Sequence, residues 1–182
     1  MNQIEIFAPG SVANISCGFD VLGFCLDPIG DIMRISKTKT PGVSIGKVTG
    51  QDLPTDPEKN VASVAAMALL KETPTEFGFQ IDIEKKIKPG SGIGSSAASA
   101  AGAVFGINQL LGAPYTNNEL IRFALAGEAI ASGAAHADNL APVLLGGFTL
   151  VRSNKTLDVI KLPNPSELVA TVIHPNIELK TI

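Results

Sequence analysis

Residues 88–96 read Lys88-Pro-Gly-Ser-Gly-Ile-Gly-Ser-Ser96, and an alanine-rich segment follows them to Leu111. The residues in front of this loop, Phe77 to Ile87, alternate apolar and polar side chains, which is typical of a half-buried strand. The glycines relieve Cβ crowding and permit positive φ angles. A helix that starts after them begins with backbone amides that lack partners inside the helix, and its dipole favours an anion. We therefore predict a polyphosphate site where this strand, loop and helix meet.

Two other kinds of glycine-rich site do not fit this loop. A P-loop ends in Gly-Lys followed by Ser or Thr, whereas Gly94 is followed directly by Ser95. A dinucleotide-binding fingerprint needs a third glycine at position 95 and an acidic residue about 20 residues further along, after a second strand. Neither pattern is present, and a tight structural turn in front of a helix stays the alternative interpretation.

The composition indicates a globular protein and narrows its partners. Of the 182 residues, 45% are hydrophobic and 17% are charged, which argues against disorder. The formal net charge of −3 gives no reason to expect a nucleic acid or an anionic membrane as partner. No apolar run approaches about 20 residues, the length of a membrane-spanning helix. Since residues 1–7 do not resemble a signal peptide, we expect a cytoplasmic protein in which Cys17 and Cys25 are thiols, with one disulfide as the alternative.

The order of the elements predicts an α+β protein with a mainly antiparallel sheet. The predicted strands are Gln3–Phe7, Phe77–Ile87 and Phe148–Arg152, together with a hairpin of Asp31–Lys37 and Val43–Val48. The predicted helices are Gly18–Leu26, Val61–Lys71, one from the glycine loop to Leu111, and a separate one that begins at Thr116 and ends at about Ser132. Asn60 is a candidate helix cap, and Thr116 with Glu119 forms a capping box. Ser153–Ser166 is the predicted inter-domain segment. Glu167–Ile173 is predicted to begin a new strand, which would pair with the sheet or with a second copy of the chain.

Glu128 is a candidate metal ligand. On a helical wheel it falls between Ala124 and Ile121, at the apolar face, where an ionised carboxylate is costly unless a positive group meets it. Mg²⁺ shared with ATP would meet it, because this ion takes one or two carboxylates together with phosphate oxygens. An Arg or Lys partner at the edge of the core is the alternative. A second polar cluster, His136-Ala-Asp-Asn139, lies between apolar segments and can be read as a structural loop or as part of a site.

Two motifs together carry a family resemblance. The spelling Pro89-Gly-Ser-Gly-Ile-Gly-Ser-Ser-Ala97 is similar to the second motif of the GHMP kinases. Ala8-Pro-Gly-Ser-Val-Ala-Asn14 with Gly18-Phe-Asp20 resembles the first motif in their homoserine kinase branch. The resemblance spans essentially the whole chain. It implies a GHMP kinase N-terminal, ATP-binding domain of the ribosomal protein S5 domain 2-like fold over residues 1–155, and a linker with the first part of an incomplete C-terminal ferredoxin-like domain over residues 156–182.

The resemblance also implies roles for individual residues. It implies ATP binding by Asn60, Lys88, Pro89, Gly90, Ser91, Gly92, Ile93, Gly94, Ser95 and Ser96. It implies Mg²⁺ binding by Ser96 and Glu128, and substrate binding by Asn14, Asp20, His136, Asp138, Asn139 and Thr181. Ser96, Glu128 and Asn139 would be the catalytic residues. An amino-acid substrate offers an ammonium, which suits Asp20 or Asp138, and a hydroxyl group, which Asn139 could orient.

The activity that the resemblance implies is transfer of the γ-phosphoryl group of ATP to the side-chain hydroxyl of L-homoserine. The product is O-phospho-L-homoserine, a step towards threonine. Asn139 stands where other GHMP kinases place an aspartate base, so the hydroxyl is expected to attack without a dedicated base. The partners implied are these small molecules, and a homodimer is a further arrangement to test.

Three alternative functions stay open at this point. The third motif of the family, a glycine-rich loop in the C-terminal domain, is not found in these residues, so we expect them to be inactive alone. They could then serve as an ATP-binding module without turnover. A GHMP kinase for another small alcohol, such as mevalonate, is the second alternative, and a non-catalytic domain of the same fold is the third.

Overall fold

The structure is a computed structural model that describes residues 1–133, 136–164 and 167–173. Its elements in chain order are β1 (Gln3–Asn14), β2 (Gly18–Thr38), β3 (Gly42–Thr49), α1 (Val61–Glu72), β4 (Gly78–Glu84), α2 (Ser95–Leu110), α3 (Asn117–Ser132), α4 (Leu140–Leu145), β5 (Phe148–Ser153) and β6 (Asp158–Leu162). Within these ranges no helix is long and apolar enough to cross a membrane. The mixture of helices and strands is the α+β class that the sequence predicts.

The strands form one mainly antiparallel sheet built around β2. Its order is β3-β4-β2-β5-β6, and β1 pairs with β2 outside this path. The C-terminal half of β2 lies between β1 and β4, and its N-terminal half pairs with β5. Only β3 and β4 pair in parallel within the described chain. The long strand β2 therefore connects the two halves of the sheet.

The helices pack on the sheet at short range because α2 is built from small residues. Helices α1, α2 and α3 contact one another, and α2 also contacts β1 and β2. A Cβ atom added at Gly102 would lie 2.5 Å from the sulfur of Met33, and one at Gly106 would lie 2.4 Å from Cδ1 of Ile35. Helix α2 thus runs closer to the sheet than a helix with larger side chains on that face could. This close packing fixes where the N-terminus of α2 lies.

Two local predictions are confirmed by the helix ends. Asn60 caps α1, since its side chain accepts a hydrogen bond from the amide of Ala62 at 2.9 Å. Thr116 and Glu119 form a reciprocal capping box at the start of α3. Both cysteines, Cys17 and Cys25, are free thiols, as expected. The two helix caps depend on neighbouring residues only, which is why the sequence predicts them well.

The helix predicted at Gly18–Leu26 is wrong, because this segment is the first part of β2. A short apolar run has no periodicity that separates a buried strand from a buried helix. Pairing decides the matter here: Phe24 lies opposite Val12 of β1 on one side and opposite Phe148 of β5 on the other.

The hairpin predicted around Pro41-Gly42 is also wrong. Both of its strands exist, but β4 lies between them, antiparallel to β2 and parallel to β3. The turn at Gly42, with φ of 110°, therefore leads the chain across β4 and not back along β2. The sequence carried the turn signal but not the identity of the neighbouring strand.

The C-terminal segment differs from the prediction in two places. Residues 158–162, inside the predicted inter-domain segment, form β6 and pair with β5. No strand forms at 167–173, where Leu168, Val169 and Ile173 are exposed. A strand needs a partner edge, and apolar composition alone does not supply one. The division into residues 1–155 and 156–182, with a C-terminal ferredoxin-like domain, stays a prediction, although the sheet extends past residue 155.

Candidate active site

A cavity of about 930 Å³ lies at the N-terminus of α2. The predicted site residues on its wall are Asn14, Asp20, Asn60, Pro89, Gly90, Gly92, Gly94, Ser95, Ser96, Glu128, His136, Asp138 and Asn139. Both sequence motifs and the polar cluster after α3 therefore meet at one cavity, although more than 100 residues of chain separate the first from the last. Lys88, Ser91 and Ile93 do not lie on this wall, and Thr181 lies outside the described residues.

The glycine loop has the backbone conformation that the spacing predicts. Gly90, Gly92 and Gly94 have φ angles of 74°, 77° and 66°, all in the left-handed region. Gly94 is the N-cap of α2 and provides no side-chain acceptor for the first-turn amides. A Cβ atom at Gly94 would lie 2.0 Å from Oγ of Ser11, so only glycine fits there. The first turn of α2 thus offers its amides to the cavity, where a phosphate oxygen could accept them.

A buried ion pair that the sequence analysis did not single out supports this helix end. Nζ of Lys85 donates to Oδ2 of Asp31 at 2.5 Å, to the carbonyl oxygen of Ser95 at 2.6 Å and to Oγ of Ser99 at 2.9 Å. Burial lowers the pKa of Lys85, and the charge of Asp31 opposes that effect. Strand periodicity could have revealed this lysine, since positions 81, 83 and 85 lie on the same face and Ile81 and Ile83 are core residues. Lys88, the lysine that the family resemblance implies for ATP binding, is exposed.

Glu128 and Ser96 form the acidic part of the site. Oγ of Ser96 donates to Oε1 of Glu128 at 3.0 Å. Burial raises the pKa of Glu128, the hydrogen bond from Ser96 lowers it, and the charge of Asp138 raises it again. The wheel placed this glutamate correctly at the boundary between the core and the cavity. Its carboxylate is partly desolvated and would gain from a cation.

The donor set fits Mg²⁺ bound together with a nucleotide. Glu128 and Ser96 offer one carboxylate and one hydroxyl at the cavity wall. Within residues 1–133, 136–164 and 167–173 no three His, Cys, Asp or Glu side chains are arranged to hold a metal by themselves. Mg²⁺ commonly takes only one or two protein oxygens and completes its shell with phosphates and water. A metal at this place would therefore need phosphate oxygens as ligands.

A further part of the cavity wall carries carboxylate, imidazole and amide side chains. Nδ1 of His136 lies 3.1 Å from Oδ1 of Asp20. Oδ1 of Asn14 accepts the amide of Asp20 at 2.9 Å, and Asp20 has a φ of 59°. Burial raises the pKa of Asp138, and its Oδ1 accepts the amide of Asn139 at 3.0 Å. The two carboxylates create a negative region that suits an ammonium group.

Asn60 has a structural role in which both polar atoms of its side chain form hydrogen bonds within the protein. Oδ1 accepts the amide of Ala62, and Nδ2 donates to the carbonyl oxygen of Pro54 at 2.7 Å. Asn60 also lies on the cavity wall, next to Lys59 and Leu53. The helix-cap interpretation is therefore confirmed, and contact with adenine stays a prediction.

Comparison with known proteins places this cavity in a family. The family model "GHMP kinases N terminal domain" matches residues 60–147, which include the glycine loop, α2 and Glu128. The matched part of this chain is thus similar to the N-terminal domain of the GHMP kinases.

Curated relatives of this chain share one name. The chain is 46% identical over 193 residues to homoserine kinase from Chloroherpeton thalassium, covering 100% of the chain and 60% of the relative. Its identity to homoserine kinase from Methanococcus vannielii is 40% over 184 residues, with the same coverage. The chain thus spans about three fifths of the length of these curated relatives.

Solved structures agree with the fold. The crystal structure of homoserine kinase from Cytophaga hutchinsonii matches 100% of this chain and 58% of that chain, with a TM-score of 0.93 and 49% sequence identity. Mevalonate kinase from Methanococcus jannaschii matches 89% of this chain and 56% of that chain, with a TM-score of 0.68 at 16% identity. The second likeness shows the shared fold alone. Together they confirm the α+β GHMP kinase N-terminal fold.

Proposed function

We propose that this chain is the nucleotide-binding part of a kinase that phosphorylates the side-chain hydroxyl of L-homoserine with ATP. The products would be ADP and O-phospho-L-homoserine, in the route to threonine. The single observation that carries the proposal is the meeting of an anion-binding helix end and a carboxylate-rich wall at one cavity. Relatives named homoserine kinase, at 40–49% identity over the whole chain, support this substrate over another alcohol.

The nucleotide end would bind the triphosphate mainly through backbone groups. The amides at the start of α2 and the left-handed glycines would surround the phosphate oxygens. Glu128 and Ser96 would bind Mg²⁺, which when bound supplies charge neutralisation between the phosphates. The predicted contacts of Asn60, Ser91, Ile93 and Lys88 with the nucleotide belong to this proposal. Positioning and charge stabilisation are the main contributions that phosphoryl transfer needs from a protein.

The part of the wall formed by Asp20, His136, Asp138 and Asn139 would bind the amino acid. Asp20 and Asp138 would attract its ammonium, and His136, paired with Asp20, would hold that carboxylate in place. Asn139 would orient the hydroxyl, whose oxygen bonds to the γ-phosphorus while the bond from that phosphorus to the bridging oxygen of ADP breaks. An amide cannot take up the hydroxyl proton, so the proton would leave to a phosphoryl oxygen. The proposal also includes contact of Thr181 with the substrate and a cytoplasmic location for the protein. A homodimer stays a prediction.

For these 182 residues alone, their length relative to the relatives favours a second candidate function. These residues could bind ATP without turnover, because they span 60% of the relatives' length. Titration calorimetry with MgATP, together with a coupled assay of ADP formation, separates the two functions. The assay is run on the 182-residue chain and on the full product of its gene, with L-homoserine, L-serine and mevalonate as acceptors.

The expected result is ATP binding by both forms and homoserine-dependent ADP formation by the full product. The variant Glu128→Gln should lower kcat about 10²- to 10³-fold, since it removes a group that stabilises transition-state charge through the metal. Turnover with mevalonate and none with homoserine would overturn the proposed substrate. Absence of ATP binding in both forms would overturn the proposed kinase function itself.

A further inference from the structure

A buried hydroxyl links the two ends of the cavity. Ser11, in β1, is completely buried, and its Oγ donates to Oδ1 of Asn139 at 2.8 Å. The amide of Ser11 also donates to the carbonyl oxygen of Ile93, in the glycine loop, at 3.1 Å. Ser11 therefore holds the glycine loop with its backbone and Asn139 with its side chain. Ser11 does not itself lie on the cavity wall.

The bond from Ser11 determines which end of the Asn139 amide is available to a ligand. Oδ1 of Asn139 accepts the serine hydroxyl, whereas its Nδ2 donates to no other residue of the described chain. Asn139 lies on the cavity wall and is half-buried. Since an asparagine amide offers an acceptor at one end and two donors at the other, the group left for a ligand is the Nδ2 donor.

We propose that Ser11 is a positioning residue for phosphoryl transfer, because its hydroxyl turns the Nδ2 amino group of Asn139 towards the oxygen of the acceptor hydroxyl. This inference rests on the proposed function. Asn139 then donates a hydrogen bond to the attacking oxygen and leaves the hydroxyl proton free to face the transferred phosphoryl group. The same contact also sets the position of the acceptor relative to the glycine loop, because Ser11 and Asn139 both lie close to Gly94. A Cβ atom at Gly94 would lie 2.0 Å from Oγ of Ser11 and 3.1 Å from Oδ1 of Asn139.

The first test is a double-mutant cycle on the full gene product. Ser11→Ala should lower kcat about tenfold, the value of one oriented hydrogen bond, and leave the KM for ATP within about twofold. Asn139→Ala should lower kcat at least as much. In the Asn139→Ala background, Ser11→Ala should have no further effect on kcat, since a residue that acts through another loses its effect when that partner is removed. Effects that multiply would overturn the positioning role.

A matched control separates positioning from loss of stability. Asn108 is a buried polar residue at the other end of α2 and bonds Tyr115. Asn108→Ala should lower Tm and leave kcat unchanged. If Ser11→Ala does not fold, Ser11→Cys keeps the size with a weaker donor, and its kcat should also lie below that of the wild type at similar Tm. A kcat equal to the wild type in the folded Ser11 variant would contradict the inference.

The second test addresses the direction of the hydrogen bond. Asn139→Asp keeps the shape and the acceptor for Ser11 but replaces the Nδ2 donor with a negative oxygen. If Asn139 is a donor, kcat should fall about a hundredfold or more, because the new charge also faces the phosphates. If kcat is kept or rises, Asn139 acts as an acceptor and the inference is wrong. If the wild-type gene product itself shows no homoserine-dependent turnover, the proposed function fails first, and the inference fails with it.

Discussion

The two ends of the cavity are made of different material. The proposed nucleotide end consists mainly of backbone, with three left-handed glycines and the first amides of α2. The proposed acceptor end consists of side chains, above all Asp20, His136, Asp138 and Asn139. Binding by backbone groups depends on the conformation of the loop, and that conformation depends on the packing of the neighbouring residues. An end made of side chains depends on charge and hydrogen bonding, and each group can be replaced separately.

This difference predicts how the ends respond to change. The proposed nucleotide end depends on the close contact of α2 with the sheet and on the buried pair of Lys85 and Asp31, so damage there should affect folding and ATP binding together. At the acceptor end, Asp20 and His136 are partly exposed, so damage there should change substrate affinity and leave the fold intact. Four experiments test the contrast and are given in decreasing order of the change expected.

The largest effect is expected from Asp31→Asn. It leaves the ammonium of Lys85 buried without its counter-charge, which should lower the free energy of unfolding by about 3–5 kcal/mol. Urea denaturation measures this change, and titration with MgATP should show weaker binding in parallel. The control is Asp158→Asn, whose partner Arg152 is exposed, and there the change should be at most about 1 kcal/mol. Equal losses in the two variants would contradict the role of burial.

Gly94→Ala should have the next largest effect. The left-handed backbone and the contact with Ser11 together should cost about 2–5 kcal/mol, and ATP binding should be lost because the loop must move. Gly112 provides the comparison: its φ is 91°, and apart from its chain neighbours no described residue has an atom within 4 Å of an added Cβ. Gly112→Ala should therefore cost only about 1–2 kcal/mol, the strain of the backbone. Thermal denaturation and calorimetry on both variants give the difference that is due to Ser11.

At the acceptor end, Asp20→Asn should act on the substrate alone. The KM for homoserine should rise about tenfold or more, since a charged hydrogen bond to the ammonium is lost, while the Kd for ATP stays the same. Steady-state kinetics of the full gene product measures the first value and calorimetry the second. Asp27→Asn, an exposed aspartate of the same strand, is the control and should change neither. A matching loss of ATP affinity in Asp20→Asn would remove the distinction between the two ends.

The smallest effect concerns stability and pH at Glu128. Burial raises its pKa above the ordinary value of 4.5, so the folded protein binds more protons than the unfolded chain between 4.5 and the raised value. Stability therefore falls as pH rises through that window, and the cost persists at neutral pH. Glu128→Gln removes the charge and should raise Tm at neutral pH without nucleotide, with the gain shrinking as pH falls towards 4.5.

Glu119 supplies a control of opposite sign. Hydrogen bonds from Thr116 lower the pKa of its carboxyl, so its stabilising contribution is present above the ordinary pKa and is lost as pH falls. Glu119→Gln should therefore lower Tm at neutral pH. If Glu128→Gln lowered Tm at neutral pH as well, the ionised Glu128 would be a stabilising group in the protein without nucleotide, contrary to this account.

Features that depend on near neighbours could be predicted from the sequence. The capping of α1 by Asn60, the capping box of Thr116 and the left-handed glycines each follow from residues within a few positions. Glu128 could be placed because helical periodicity extends the same reasoning over two turns. The helix predicted at Gly18–Leu26 failed because its strand depends on β1 and β5, the second of which lies over 100 residues away.

The residues alone predict a glycine loop in front of a helix of small residues, and two further polar motifs. Three features needed the folded chain: the motifs share one cavity, Lys85 and Asp31 pair beside the start of α2, and Ser11 bonds Asn139. The difference lies in the range of the interactions. Backbone conformation and capping are set within a turn or two of chain, whereas burial and hydrogen bonds between distant residues exist only once the sheet has brought its strands together.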